Sequence, residues 1–193
     1  VTGNMSSTEG SSSDNNVHNV MIYQSMSGDA ESGTSTFTMK GGTLTGRNGD
    51  QIYVTNTHSV ITLEDVTITN QDSSGRLLAI LGNDATRGWG TAGANGGQVD
   101  LTTTNQTLTG AIEVDTVSTL NFTMSKGTNF TGTINIVKNA EGGTAVDNNA
   151  VITVEEGATW TLTENVTITS LENKGTINFN GYTITLADGT VLK

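Results

Sequence analysis

The sequence predicts an all-β fold, a right-handed parallel β-helix of about six or seven coils. Three observations predict it. Short runs of alternating apolar and polar residues recur along most of the chain, Thr, Asn and Gly separate these runs, and no stretch has a helical period. Proline is absent, as suits strands whose backbone N–H groups join hydrogen-bond ladders.

The alternating runs can be followed in order from the N-terminal end. Residues 1–16 are rich in Ser, Asn and Gly, so we expect them to form a loop or a frayed first coil. The first complete run is 20–23. Similar runs follow at 36–39, 43–45, 51–54, 60–63, 66–69, 112–114, 120–124 and 134–136. Clusters of these runs are roughly 22 to 35 residues apart, which is enough for a coil of three short strands with loops.

An antiparallel β-sandwich is the alternative fold. The pairs Asn48-Gly49, Asn95-Gly96 and Asn180-Gly181 are the turn signals that its hairpins would use. Against it, the runs are mostly short and their corners are single Asn, Gly or Asp residues. The parallel solenoid is therefore the preferred prediction.

Composition limits both the fold and the partners. A chain of 193 residues suits a single domain over 1–193, and 33% hydrophobic with 5% aromatic residues suits a narrow core. The net charge of −11 argues against nucleic acid and anionic membrane as partners. There is no cysteine, and no apolar run approaches the ~20 residues that span a bilayer, so membrane insertion is not predicted.

Three segments carry a resemblance to a known group of proteins: residues 20–30 (VMIYQSMSGDA), 49–57 (GDQIYVTNT) and 87–97 (RGWGTAGANGG). They resemble the C-terminal part of bacterial adhesin-like, right-handed parallel β-helix proteins of the pectate-lyase-like superfold, over about residues 17 to 186. The resemblance implies a secreted or cell-surface location. It also implies that further coils precede Val1, so that the chain ends a longer solenoid.

The superfold also includes polysaccharide hydrolases and lyases, so the sequence must be tested for their chemistry. The adjacent Asp-Asp pair and the Gly-His-Gly element of the hydrolases do not occur. A lyase would need a Ca²⁺ cage beside a basic side chain, and Arg47, Arg76 and Arg87 are the only arginines. We therefore predict no enzymatic activity and retain a Ca²⁺-dependent lyase of the pectate-lyase type as the alternative.

No metal site is predicted with any strength. Asp50, Asp72 and Asp84 lie beside Gly or Asn turns and are weak candidates for Ca²⁺, but scattered Asp residues in turns usually cap the turn itself. No cofactor is assigned, and Ca²⁺ at such corners is left open. His18 and His58 are expected to face solvent.

The best candidate for ligand binding is the segment around residues 82–97, where the alternating apolar and polar runs stop. Long loops on a rigid scaffold are where binding function concentrates. Trp89 could stack on a sugar while Arg87 and Asn95 bond its hydroxyls, or it could fold back over an apolar flank. Tyr53 is a further candidate, and we expect it to stack on Tyr23 from coil to coil. Trp160 is expected to be a packing residue.

Threonine triplets are frequent and suggest an outward surface. Thr43-Leu44-Thr45, Thr67-Ile68-Thr69, Thr107-Leu108-Thr109 and Thr167-Ile168-Thr169 each place two threonines around one inward residue. Rows of outward threonines of this kind resemble those of ice-binding solenoids, although the triplets are irregularly spaced in this sequence.

The function expected from the sequence is a non-catalytic, secreted or surface-displayed adhesin that binds polysaccharide, glycan or a host surface. A third alternative, beside the lyase, is a structural subunit that associates end to end through exposed strand edges.

Overall fold

The chain forms a parallel solenoid of β-strands. A computed structural model describes residues 4–6, 18–24, 33–83 and 90–193, and these residues contain strands and no helix. Every strand pair among them is parallel except the last pair. The predicted all-β parallel fold is confirmed, and the antiparallel sandwich is not what the chain adopts.

The strands are two to nine residues long. In chain order they are β1 (Asn4–Ser6), β2 (His18–Tyr23), β3 (Thr34–Lys40), β4 (Thr43–Gly46), β5 (Asp50–Thr55), β6 (His58–Glu64), β7 (Thr67–Asn70), β8 (Leu78–Ile80), β9 (Gln98–Thr104), β10 (Thr107–Asp115), β11 (Thr119–Met124), β12 (Asn129–Val137), β13 (Ala150–Val154), β14 (Thr159–Thr161), β15 (Val166–Ile168), β16 (Ser170–Asn173), β17 (Thr176–Asn178), β18 (Ile184–Leu186) and β19 (Val191–Leu192).

The strands form three sheets, A, B and C, and from β1 to β9 the chain visits them in that order. Sheet A has the order β1-β4-β7, sheet C has the order β16-β13-β11-β9-β6-β3, and sheet B has the order β19-β18-β15-β12-β10-β8-β5-β2 with β14 and β17 attached. The long strands β10 and β12 span two faces, because the start of β12 pairs with β14 and its end with β15. Sheet C has six strands, which corresponds to six turns of the chain.

Alternating burial along each strand builds the core. In β11, Leu120, Phe122 and Met124 are buried, whereas Asn121 between them is exposed. The same alternation holds in β6 and β13. One inward residue at every second position is enough to fill so narrow an interior.

Aromatic residues thicken the core in its C-terminal half. Phe130 of β12 stacks on Trp160 of β14 with ring centroids 5.9 Å apart and lies edge-on to Phe122 at 6.1 Å. Trp160 is fully buried, and its Nε1–H donates a 3.1 Å hydrogen bond to the carbonyl oxygen of Gly132. The expectation that Trp160 is a packing residue is confirmed.

One corner of the coil repeats in nearly every turn. The chain leaves sheet C through a residue with positive φ at Gly41, Asp65, Asn105, Gly127 and Gly157. Gly, Asn and Asp tolerate this left-handed conformation better than other residues do. These corners explain why single Gly, Asn or Asp residues follow the apolar runs.

The last two strands form a hairpin. Strand β19 folds back antiparallel on β18, with Ile184 opposite Leu192 and Thr185 opposite Val191. At the other end, the predicted loop over residues 1–16 includes strand β1, which pairs with β4. The remainder of that segment lies outside the described residues.

Replacing Trp160 tests the packing of the core. We expect Trp160→Ala to lower the free energy of unfolding by about 3–5 kcal/mol, because it leaves a large cavity under β12 and β17. Trp160→Phe should cost only about 1–2 kcal/mol, since it keeps the stacking but leaves the Gly132 carbonyl without its donor. Denaturant unfolding followed by circular dichroism measures both, and an unchanged midpoint for Trp160→Ala would contradict this core.

Candidate functional site

The residues predicted to bind a ligand do not form one described site. Arg87, Trp89 and the weak metal candidate Asp84 lie outside the described residues, so their predictions stand untested. Asn95 is half-buried, with its side chain committed to the protein itself. Its Nδ2 donates to Oδ1 of Asn56 at 2.9 Å, and its Oδ1 accepts from Nδ2 of Asn83 at 3.0 Å.

Tyr53 is buried in the fold. Its side chain has no exposed surface and stacks on the ring of His18, with centroids 4.1 Å apart. Tyr53 does not stack on Tyr23 as expected. In the register of β2 and β5, Tyr53 lies opposite Met21 and Tyr23 lies opposite Thr55. The structure therefore gives Tyr53 a packing role rather than a ligand surface.

A buried ion-pair cluster surrounds Asp50. Arg76 donates from Nε and Nη2 to the two carboxylate oxygens of Asp50, both at 2.8 Å, and from Nη1 to Oε2 of Glu113 at 2.6 Å. His18 is also part of the cluster, with Nδ1 3.2 Å from Oδ2 of Asp50 and a side chain only 3% exposed. The expectation that His18 faces solvent is therefore wrong, since Tyr53 and Asp50 cover its ring.

The cluster sets the ionisation of its members. Burial alone raises the pKa of Asp50, but the contact with His18 and the hydrogen bonds and charge of Arg76 outweigh burial and lower that pKa to about 2. The His18 contact does not have hydrogen-bond geometry, so we regard Arg76 as the decisive partner. Burial lowers the pKa of Arg76, but Asp50 and Glu113 raise it above its usual range.

The other acidic and histidine candidates also have structural partners. Asp72 accepts from the backbone N–H of Gly49 and of Ser74, at 2.8 and 2.9 Å, so it holds two turns together. His58 is partly exposed and contacts Asp100 through Nε2 at 2.8 Å. Within the described ranges, no group of three or more His, Asp or Glu side chains is arranged to hold a metal ion.

An uncharged surface is formed by the outward side chains of β4, β7, β14, β17 and the first halves of β10 and β12. We call it the threonine face. It comprises two rows, Thr43, Thr67, Thr107, Asn129, Thr159 and Thr176 in one, and Thr45, Thr69, Thr109, Thr131, Thr161 and Asn178 in the other. The inward residues between the rows include Leu44, Leu108 and Trp160, which are buried.

The threonine face is chemically uniform. Its twelve positions carry ten threonines, two asparagines and no charge. The whole chain has a net charge of −11, and none of its charged residues occupies these twelve positions. Each position presents a hydroxyl or an amide, and the threonines add methyl groups. Such a surface can hydrogen-bond a neutral polar ligand and contact its apolar faces without desolvating a charge.

Sequence reasoning found part of this face and missed the rest. Three of the four threonine triplets lie on it, whereas Thr167 lies on β15 in sheet B. The pattern of threonine triplets did not reveal three further segments of this face, because Asn or an aromatic residue interrupts the pattern there. These segments are 129–131, 159–161 and 176–178. Irregular spacing along the chain does not prevent register, since loops of different length return the strands to the same face.

Comparison with known proteins finds no matching family model, curated protein or solved structure. Among the described residues, no helix is long and apolar enough to cross a membrane.

The Asp50 cluster predicts a pH-dependent stability. The folded pKa of about 2 lies below the usual 3.8, so ionised Asp50 stabilises the fold above pH 3.8, and this contribution is lost as the pH falls through 2. It amounts to roughly 2 kcal/mol. We expect Asp50→Asn to be less stable at pH 7 by about this amount, with the difference shrinking between pH 4 and pH 2. Thermal unfolding across this range measures the effect.

The matched control is Asp147→Asn, because Asp147 is exposed. It should unfold like the parent at pH 7. An Asp50→Asn variant as stable as the parent at pH 7 would contradict the stabilising role of the ion pair.

Proposed function

We propose that this protein is a non-catalytic binding module that engages neutral carbohydrate, as a free polysaccharide or a host-surface glycan, through the threonine face. The observation that carries the proposal is the uncharged double row of threonines on a strongly acidic chain. Hydroxyl and amide groups both donate and accept hydrogen bonds, as sugar hydroxyls require. An extracellular or cell-surface location, as an adhesin-like protein, belongs to the same proposal.

Electrostatics favours neutral over acidic glycans as the ligand. A surface of net charge −11 repels uronate polymers at low salt, and none of the twelve positions of the threonine face carries a cation to offset this repulsion. Pectin-type substrates would therefore be disfavoured, although they are the substrates of the lyase alternative.

The raised pKa of Arg76 also favours a binding function over lyase activity. A basic catalyst must lose a proton, so its pKa must be lowered towards the working pH. Ion pairs with Asp50 and Glu113 raise the pKa of Arg76 instead, and they occupy its donor groups. Arg76 is thus suited to holding coils together rather than to abstracting a proton from a sugar.

A charge placed on the threonine face tests the proposal. We expect Thr131→Glu to weaken binding to the preferred neutral polysaccharide at least tenfold, because a carboxylate in the middle of the face must be desolvated on contact. Pull-down on insoluble cellulose, chitin, xylan and pectin, with and without Ca²⁺, identifies the ligand. Ultraviolet absorbance of unsaturated products in the same samples reports lyase activity.

The control is Thr102→Glu, which adds the same charge at an exposed position of sheet C. Binding that survives Thr131→Glu but is lost in Trp89→Ala would move the site to the 82–97 segment. Product formation would replace the binding module with a lyase.

Ice is a second candidate ligand, favoured by the register of the same rows. Strands that a ladder joins lie ~4.8 Å apart, so the side chains repeat at a nearly constant interval from β4 to β7 and again from β10 to β17. We expect any ice recrystallisation inhibition by the parent to disappear in Thr131→Glu and persist in Thr102→Glu. A parent with no effect on ice growth would reject this candidate.

A further inference from the structure

The threonine face is interrupted between β7 and β10. These strands are consecutive on that face, yet β7 is the edge of sheet A, and no ladder joins it to β10, although both strands are fully described. A groove of about 330 Å³ opens between them. Its lining includes Asp65, Thr67, Ile68, Asn105, Thr107 and Thr109.

A buried glutamine beside the groove joins its two walls. The Oε1 of Gln106 accepts from the backbone N–H of Val66 at 3.0 Å. Its Nε2 donates to the carbonyl oxygens of Val66 and Thr107 at 2.7 and 2.9 Å. The side-chain amide thus takes the place of one rung of the missing ladder. This arrangement satisfies a buried amide that has no exposed surface.

Backbone groups point into the groove from both walls. The N–H of Thr67 donates to Gly42 on the β4 side, so by alternation the N–H and C=O of Ile68 point the other way. The N–H of Asn129 in β12 donates to Gln106, so the backbone groups of Thr107 and Thr109 point towards β7. Both walls therefore offer donors and acceptors to a molecule between them.

Side chains at the corner of the groove provide further polar groups. Asp65 and Asn105 are exposed residues with φ of 55° and 47°, at equivalent corners of neighbouring coils. They contribute a carboxylate and an amide, beside the hydroxyls of Thr67, Thr107 and Thr109. The volume falls at the small end of the ~300–1,000 Å³ range of ligand pockets, which suits one sugar unit better than a long segment.

We propose that this groove binds a single neutral pyranose unit of the glycan that the threonine face engages, an inference that rests on the proposed function. Ring hydroxyls act as donors to the Ile68 and Thr109 carbonyls and to Asp65, and as acceptors from the backbone N–H groups and Asn105. The carboxylate of Asp65 at the rim repels uronates, so the groove selects neutral sugars.

An extended peptide is the competing occupant, because strand edges can accept an added strand. Insertion of a strand between two others needs roughly 9.6 Å between their axes, twice the ladder spacing. The side chain of Gln106 joins Val66 to Thr107 across the two walls, so a strand of several residues cannot run along their whole length. A single sugar unit does not need that length, so the geometry favours a sugar.

Nuclear magnetic resonance of the full chain tests the groove directly. Methyl glycosides of glucose, galactose, mannose and N-acetylglucosamine are titrated separately, with methyl galacturonate and an alternating Val-Thr hexapeptide as comparisons. At least one neutral glycoside should shift the amide signals of Ile68, Thr107 and Thr109. Galacturonate should bind roughly tenfold more weakly.

Variants separate the groove from the remainder of the threonine face. Thr107→Val removes one hydroxyl without changing volume and should weaken binding of the neutral glycoside roughly tenfold. Asp65→Asn should reduce the discrimination between neutral and acidic sugars while retaining the backbone conformation. Thr102→Val, at an exposed position of sheet C outside the threonine face, is the control and should bind like the parent.

Each outcome bears on the proposal. Glycoside binding that shifts signals elsewhere on the threonine face and is unaffected by Thr107→Val would overturn the groove and leave the proposed function intact. A parent that binds neither the glycosides nor insoluble polysaccharide would overturn both. Groove signals that respond to the hexapeptide and to no glycoside would assign the groove to a peptide strand instead.

Discussion

The parallel hydrogen-bond ladder fixes the spacing of successive coils, and the remaining structure depends on that spacing. Strands of adjacent coils lie ~4.8 Å apart, so residues in equivalent positions stack directly on each other. Some corners bring the backbones themselves into contact. A Cβ at Gly96 would lie 1.8 Å from the carbonyl oxygen of Val117, and one at Gly132 would lie 1.9 Å from that of Gly110. Glycine at these positions is thus required by the ladder, independently of any turn preference.

The same stacking explains how polar groups are accommodated inside the solenoid. Asn56 donates to the Gln24 carbonyl and accepts from Asn95, while Asn139 donates to the carboxylate of buried Asp115 at 2.6 Å. Asn149 donates to the carbonyl oxygens of Asp115 and Ser118. A buried amide without a hydrogen-bond partner would lower the stability of the fold. The side-chain hydrogen bonds between coils therefore stabilise corners that contain few apolar residues. An acidic, threonine-rich chain can therefore form a cohesive interior without disulfides.

The threonine face and its groove are two consequences of this geometry. Where the ladder continues, threonines of successive coils form two rows that present only neutral groups. Where the ladder is interrupted between β7 and β10, backbone donors and acceptors become available, and Gln106 joins the two walls. A regular surface suits extended neutral ligands, and the interruption provides a concave place where one unit of such a ligand can be held. In our proposal, binding in both places draws on hydroxyl, amide and backbone groups, together with the carboxylate of Asp65 at the rim of the groove.

The sequence by itself determined the strand class, the parallel solenoid, the packing role of Trp160 and three of the threonine triplets, because alternation and corner residues are local properties. Tertiary structure alone decided which triplets share a face, since loops of different length hide the register in the sequence. It also decided that His18 is buried against Asp50 and Tyr53, because its environment comes from a neighbouring coil. No pattern in the sequence predicts the groove, because the groove arises where β7 and β10 form no hydrogen-bond ladder. Long-range pairing thus sets the candidate site, while local pattern sets the fold.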